Sequence, residues 1–231
     1  MLDVLYPRIC PVCRDVLWEK EVKVCTRCKD KLHYIREPLC KRCGKGLLED
    51  EREYCRDCET TKHEFISGRG VFKYKNEIKE SVYHFKYKNK REFADFYTDE
   101  MVRELGDWVR FIGPDALIPI PLHPRKERLR GFNQAGLLAK GLGDRLDIPV
   151  IEDFIVRSVN TPPQKEQTVE GRKKNMKKAF NIGKNIVKLD IAMVIDDIYT
   201  TGATADAVSR LLKDTGVKEV YCLSLCIGNG F

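Results

Sequence analysis

Two adjacent carboxylates, Asp196 and Asp197, stand between an apolar run, Ala192–Ile195, and a small hydroxyl-rich stretch, Thr200-Thr201-Gly202-Ala203-Thr204. Ala207, Val208, Leu211 and Leu212 follow at helical spacing. Strand, acidic pair, tight turn and helix start make an anion cradle. The first N–H groups of a helix point outward at a phosphate, and Gly202 lets the backbone come close to it. Carboxylates beside such a cradle repel the phosphate itself. They suit what it is attached to: sugar hydroxyls, which donate to them, or a magnesium ion nearby. The chemistry is that of a phosphorylated sugar. An isolated acidic pair would more simply close a buried strand and cap a helix, but the full thirteen-residue order argues for a site.

A second constellation lies near the N-terminus. Cys10-Pro-Val-Cys13, Cys25-Thr-Arg-Cys28, Cys40-Lys-Arg-Cys43 and Cys55-Arg-Asp-Cys58 form two CxxC–x11–CxxC units that repeat after thirty positions. Each CxxC turn aims two sulfurs at one ion, and two turns complete a tetrahedron with no open position. Two structural Zn2+ ions are therefore expected. Sequential pairing of neighbouring turns is the simplest arrangement, with interleaved pairing open. A disulfide framework fits poorly, because MLDVLYPRICPVC has no basic flank followed by an apolar segment and no secretory signal is expected. A thioredoxin-like role would explain one CxxC, not a repeat of four. Two filled sites would lower the formal charge of +7 to about +3, so global charge is weak evidence for nucleic acid.

The elements that must position these residues follow from periodicity. Residues 61–68 read as a linker, with His63 a surface histidine. Val71–Lys75 alternates like a strand, and Glu77–Tyr87 carries Ile78, Val82 and Phe85 at helical spacing. Its interleaved lysines and aromatics, including Lys86, Lys88, Tyr83 and Tyr87, read either as a solvated basic face or as a surface for single-stranded nucleic acid. Residues 92–113 are helical, with Trp108 packing. Ala116–Leu122 is a second buried strand that runs into Arg125, Lys126, Arg128 and Arg130, a basic loop suited to pyrophosphate because arginine offers forked donors. Phe132–Leu146 reads as a helix, and Ile148–Ile151 and Phe154–Val156 as short strands. Thr168–Lys178 reads as a basic helix, and Val217–Ile227 as a final strand with Cys222 and Cys226 buried in it. No stretch is apolar enough to span a membrane, and no GxxxxGK[ST] or GxGxxG occurs.

Ala192–Thr204 resembles the signature with which type I phosphoribosyltransferases bind 5-phosphoribosyl 1-pyrophosphate (PRPP). That resemblance implies that Asp196 and Asp197 hold the ribose hydroxyls with Mg2+, that Thr200, Thr201, Gly202, Ala203 and Thr204 wrap the 5′-phosphate, and that Leu122, His123, Pro124 and Arg125 form the pyrophosphate loop. With PIPLHP…R.RGFNQ and the paired cysteines before it, the whole chain is similar to the ComF/GntX family, implicated in using or importing external DNA. In that family Gln164, Arg172, Asn175 and Ala179-Phe180 belong to a flap, here about 157–180, with Arg172 the residue expected to touch the site. Gln167 and Thr168 depart from the family's Leu–Ser.

The resemblance implies an α/β fold: a type I phosphoribosyltransferase core, parallel sheet flanked by helices, over residues 65–231, behind a double zinc ribbon over residues 1–60. It implies a PRPP-binding, cytoplasmic protein that assists DNA uptake, in contact with single-stranded DNA or a helicase and held at the inner face of the membrane only through partners. The other reading is an active phosphoribosyltransferase with an unidentified nitrogenous acceptor. No residue stands out as its general base.

Overall fold

The computed structural model describes residues 7–19, 21–48, 52–158, 179–184 and 187–228. Arg172, Gln164, Asn175 and the expected helix 168–178 lie outside them. The central sheet has four parallel strands in the order β1-β6-β5-β2: β1 Gly68–Lys73, β2 Ala116–Pro119, β5 Ile191–Tyr199 and β6 Glu219–Ile227. A parallel bridge between Leu117 and Val150 continues it beyond β2. A separate antiparallel pair joins β3 Ile155–Arg157 to β4 Phe180–Ile182.

Alternation along the strands sorts the core into two layers, because successive side chains in a strand leave on opposite faces. Met193 and Ile195 of β5 join Leu223 and Leu225 of β6 against three helices: α3 Asn76–Tyr87, α4 Phe93–Ile112 and α6 Gln134–Leu146. Ala192 and Val194 join Val220 and Cys222 against α7 Ala203–Asp214 and the β3–β4 pair. Parallel strands covered on both faces read as unbroken apolar runs, which is why β5 and β6 stand out in the sequence. Cys222 and Cys226 are buried in β6.

The cysteine-rich segment, with short helices α1 Thr26–Lys29 and α2 Arg56–Thr60, is built into both layers. Cys10, Val12, Val24 and Cys28 share the core of α3 and α4, whereas Cys40, Cys43 and Cys55 share that of α7. Between the two cysteine units, Tyr34 bridges antiparallel to Phe72, and the Ile35 N–H donates to the Val71 carbonyl at 2.8 Å. The outer edge of β1 is thereby covered, so it presents no open ladder.

Two expectations change here. The strand at 191–199 does not close at the acidic pair but runs through it to Tyr199. Residues 124–130 form a helix, α5 Pro124–Arg130, rather than a loop. Pro124 occupies its first turn, where no N–H is needed, and the His123 Nδ1 accepts from the Arg125 N–H at 3.2 Å.

Candidate functional site

All four strands point the same way, so their C-terminal ends share one edge of the sheet. From β5 the chain crosses through α7 to β6, on one side. From β2 it crosses through α5 and α6 to Val150, on the other. Between β5 and β2 the connections diverge, and it is at such a switch point that open α/β sheets form their ligand crevice. The acidic pair at the end of β5, the 200–204 turn and the Leu122–His123 loop after β2 all arrive at this place.

Strand alternation sends the two carboxylates to opposite faces. Asp197 follows Met193 and Ile195 toward α3, where the Lys86 ammonium straddles it, 2.9 Å from both Oδ1 and Oδ2. Lys86 and Asp197 are each only 14% exposed at the side chain. Lys86 is therefore not on the solvated basic face assigned to it from sequence. Burial pulls its ammonium down, but the Asp197 charge and hydrogen bond more than offset this, and the net shift is upward. Lys88 does lie exposed, as do Tyr83 and Tyr87, while Phe85 is fully buried as expected.

Asp196 faces the α7 side, in the field of Arg157 from β3. Burial, with Asp197 adjacent, raises its carboxyl from 3.8 to about 7, with Lys86 and the N–H groups of Asp197 and Ile198 pulling the other way. A carboxyl raised on folding keeps its proton in the native state where the unfolded chain has lost it. Between about pH 4 and pH 7 this group makes stability fall as pH rises, by roughly 1.4 kcal/mol per unit. Comparing thermal unfolding of the wild type and Asp196→Asn across that window should show this slope missing from the variant. Identical slopes would contradict the assignment.

The basic run after β2 divides by the pitch of α5. Arg125 and Arg128 are exposed, whereas Lys126 and Arg130 turn inward. Burial and then the charges of Arg157 and Arg130 push Lys126 down; burial likewise lowers Arg157, with Asp196 opposing and Arg130 adding to the shift. Lys86, Lys126, Arg130 and Arg157 thus lie in one another's fields, with Lys86 and Arg157 also in those of the two carboxylates. Arg130 also donates to the Gln134 Oε1 at 2.8 Å and the Tyr87 hydroxyl at 3.0 Å, lying over the Tyr87 ring at 4.8 Å. The Asn133 Nδ2 donates to the Ile120 carbonyl at 3.1 Å and ties α6 to the β2 loop.

Gly202 opens α7 in the left-handed region, φ 79°, with no side-chain cap on the helix. Beneath it lies His63. Its side chain is fully buried, stacked on Phe65 with ring centroids 4.8 Å apart, and its Nδ1 is 2.9 Å from the Asp206 Oδ2. The Glu64 N–H donates to the same carboxylate at 2.9 Å. The surface-histidine expectation for His63 is overturned: residues 61–68 are no solvated linker but underpin the 200–204 turn. Tyr199 completes this floor. Burial raises its hydroxyl, and the nearby Cys43 and Cys58 thiols raise it further.

Cys10, Cys13, Cys25 and Cys28 form one cluster and Cys40, Cys43, Cys55 and Cys58 the other, with the four sulfurs of each within 4.8 Å of one another. Pairing is sequential, not interleaved. The Sγ atoms of Cys13 and Cys25, and of Cys43 and Cys55, are 3.7 Å apart. A tetrahedral zinc with Zn–S bonds of about 2.3 Å requires S···S edges of about 3.8 Å. Thiols this close compete for protons: hydrogen bonds from Cys43, Cys55 and Cys58 pull Cys40 down, while Cys40 holds Cys43 and Cys58 up. A divalent cation that accepts four thiolates removes the conflict. The two clusters fit two structural zinc sites.

Fold and cysteine clusters together define the class: a parallel α/β sheet with a crevice at its switch point, carrying two four-cysteine ribbons. The double zinc ribbon domain model matches residues 1–59. Competence protein F of Haemophilus influenzae is 36% identical over 114 residues, which is 48% of this chain and 50% of that protein. Competence protein ComFC of Bacillus subtilis is 29% identical over 174 residues, 70% of this chain and 67% of that protein. The chain spans half to just under two thirds of the first curated relatives it matches. A hypoxanthine phosphoribosyltransferase from Staphylococcus aureus is similar over 63% of this chain and 71% of that chain, at 19% identity and a TM-score of 0.36. The chain thus carries an N-terminal double zinc ribbon and is similar to proteins named for competence and DNA utilisation. No helix among the described residues is long and apolar enough to cross a membrane.

Sequence reasoning missed Lys86, Arg157 and His63 as residues of the crevice. For Lys86 the signal was present: it sits one position after the core residue Phe85, too close to the apolar stripe to be fully solvated. For Arg157 and His63 only the tertiary fold supplies it.

Proposed function

We propose that this chain binds PRPP in the crevice between β5 and β2 and serves the handling of external DNA, in keeping with relatives named for competence and DNA utilisation. The observation that carries this reading is the convergence, at one switch point, of an uncapped helix start, two carboxylates and four cations. The turn 200–204 takes the 5′-phosphate. Asp196 and Asp197 accept from the ribose hydroxyls, with Mg2+ neutralising the pyrophosphate. Lys86, Lys126, Arg130 and Arg157 face the pyrophosphate, alongside Leu122 and His123 after β2 and Pro124 and Arg125 in the first turn of α5. Arg172 belongs to the expected flap over the site.

Single-stranded DNA is the macromolecular ligand of this proposal. Tyr83 and Tyr87 lie one turn apart on α3, 48% and 51% exposed with ring centroids 5.1 Å apart, next to the exposed Lys88 and with Arg130 over the Tyr87 ring. Aromatic faces flanked by cations suit stacked bases and their phosphates. A partner helicase would deliver the strand to this side.

Calorimetry with PRPP and magnesium tests the core of the reading. Hydrogen bonds to a charged acceptor contribute about 1.5–3 kcal/mol each, so Asp196→Asn should weaken binding roughly 100-fold. Unchanged affinity would remove the crevice from the function. Pyrophosphate release on adding nucleobases would identify a transferase; PRPP recovered intact would identify a binding protein. For the DNA surface, Tyr83→Ala with Lys88→Glu should weaken oligonucleotide binding and reduce its salt dependence. Salt-independent binding would speak against that face.

A further inference from the structure

We propose that Lys86 is an internal counter-ion that makes the crevice select intact PRPP over its two halves. The inference rests on the reading of this crevice as a PRPP site. The Lys86 ammonium lies 2.9 Å from both oxygens of Asp197, so it takes one lone pair on each and neutralises the charge that ribose hydroxyls would meet. Lys86 sits near the end of α3, directly after the core residue Phe85, and the pair is largely shielded from water. Opening it toward nothing leaves two enclosed charges unpaired, which is strongly unfavourable.

Each half of PRPP can meet only one of these charges. Ribose 5-phosphate brings hydroxyls for Asp197 but leaves Lys86 without an anion. Pyrophosphate brings an anion for Lys86 but leaves Asp197 uncovered. PRPP does both in one step: Asp197 turns to the sugar, and Lys86 turns to the pyrophosphate among Lys126, Arg130 and Arg157. The two halves therefore bind cooperatively, whether joined or separate. Reciprocity requires each half to tighten the other by the same factor.

The experiment uses the full zinc-loaded chain, with magnesium present throughout. Wild-type protein is titrated with ribose 5-phosphate, with and without saturating pyrophosphate. The expected result is that pyrophosphate tightens ribose 5-phosphate by about tenfold, within the usual range of coupling between sites. Asp197→Asn frees Lys86 from its partner, so this variant should bind pyrophosphate about tenfold tighter than wild type, while its PRPP affinity falls. Lys86→Met keeps the stem and removes the charge. It should lose PRPP affinity about 30-fold, bind ribose 5-phosphate about tenfold tighter than wild type because no pair has to open, and show no coupling between the halves; Lys86→Arg should restore much of the coupling. Independent or mutually weakening halves in the wild type would overturn the proposal, as would Asp197→Asn that binds pyrophosphate no better. The wild-type titration decides the matter even where a variant fails to fold. Wild-type protein that binds no PRPP at all would instead overturn the crevice assignment.

Discussion

Loss of zinc from the second ribbon, by chelation or by Cys55→Ser, is expected to abolish PRPP binding together with much of the fold's stability. The ligands of this site do not stand on a separate module. Cys40, Cys43 and Cys55 are buried in the same layer as Phe65, Val194, Tyr199 and Val208. The Arg42 carbonyl accepts from the Gly68 N–H at 2.7 Å, and the Arg42 guanidinium donates to the carbonyls of Phe65 and Ile66 at 3.0 and 2.8 Å. His63 follows Cys58 by five residues and reaches under Gly202. A structural zinc contributes about 10–16 kcal/mol of binding free energy at neutral pH, which in a domain without a preformed apo site is folding free energy. Removing it takes away the floor of the 200–204 turn. The check is zinc content, thermal unfolding and PRPP calorimetry on the same Cys55→Ser sample: one zinc lost, a melting temperature lower by more than about 10 °C, and no binding. A one-zinc protein that binds PRPP as the wild type does would show the ribbon to be an independent appendage.

The first ribbon should behave differently. Cys10 and Cys28 pack with Val24 against the layer of α3 and α4. The Lys23 ammonium reaches Asp95 at 2.7 Å and Asp99 at 2.5 Å on α4. Its loss would loosen the seat of α3, and with it Lys86, before it disturbed the 5′-phosphate turn.

How much of this was legible in the sequence depends on the range of the signal. The zinc sites were, because ligand spacing is local and the repeat announces itself; only the pairing needed space. The β5 strand and α7 were, because an unbroken apolar run and a 3.6-residue period are also local. The end of β5 was misread, since two aspartates argue against a strand by propensity, yet the ladder to β6 carries on from Asp196 opposite Ser224 to Tyr199 opposite Ile227. That continuation sends Asp196 and Asp197 to opposite faces and gives them different partners. Lys86 lies 111 residues from Asp197 and His63 143 from Asp206. Pairs that far apart leave no periodic trace, and a charged or polar residue then reads as surface by default. The segments 1–60 and 65–231, separable by composition, share both core layers, because neither cysteine unit buries enough apolar surface by itself.

Gly202→Ala is expected to weaken PRPP binding roughly 100-fold while leaving both zinc ions in place. At φ 79° any side chain is strained by roughly 1 kcal/mol or more. A Cβ built there would also stand 2.6 Å from the Tyr199 hydroxyl and 2.8 Å from the His63 Cε1, closer than real Cβ contacts come. Neither neighbour can retreat freely. His63 is stacked on Phe65 and held by Asp206, and Tyr199 is buried with its ring edge-on to Phe65 at 6.1 Å. The strain is relieved by lifting the turn, which moves the first N–H groups of α7 off the phosphate position, and overpacking of this kind costs about 1–3 kcal/mol. Together the terms correspond to roughly a 100-fold loss of affinity. Gly202→Ala with His63→Ala should recover part of it, since the Cε1 contact disappears while the Tyr199 contact stays. That ordering, with the double variant between the single variant and wild type, is what calorimetry should find. A double variant weaker than Gly202→Ala alone would mean that His63 supports the turn chiefly by holding Asp206 and not by filling the space beneath Gly202.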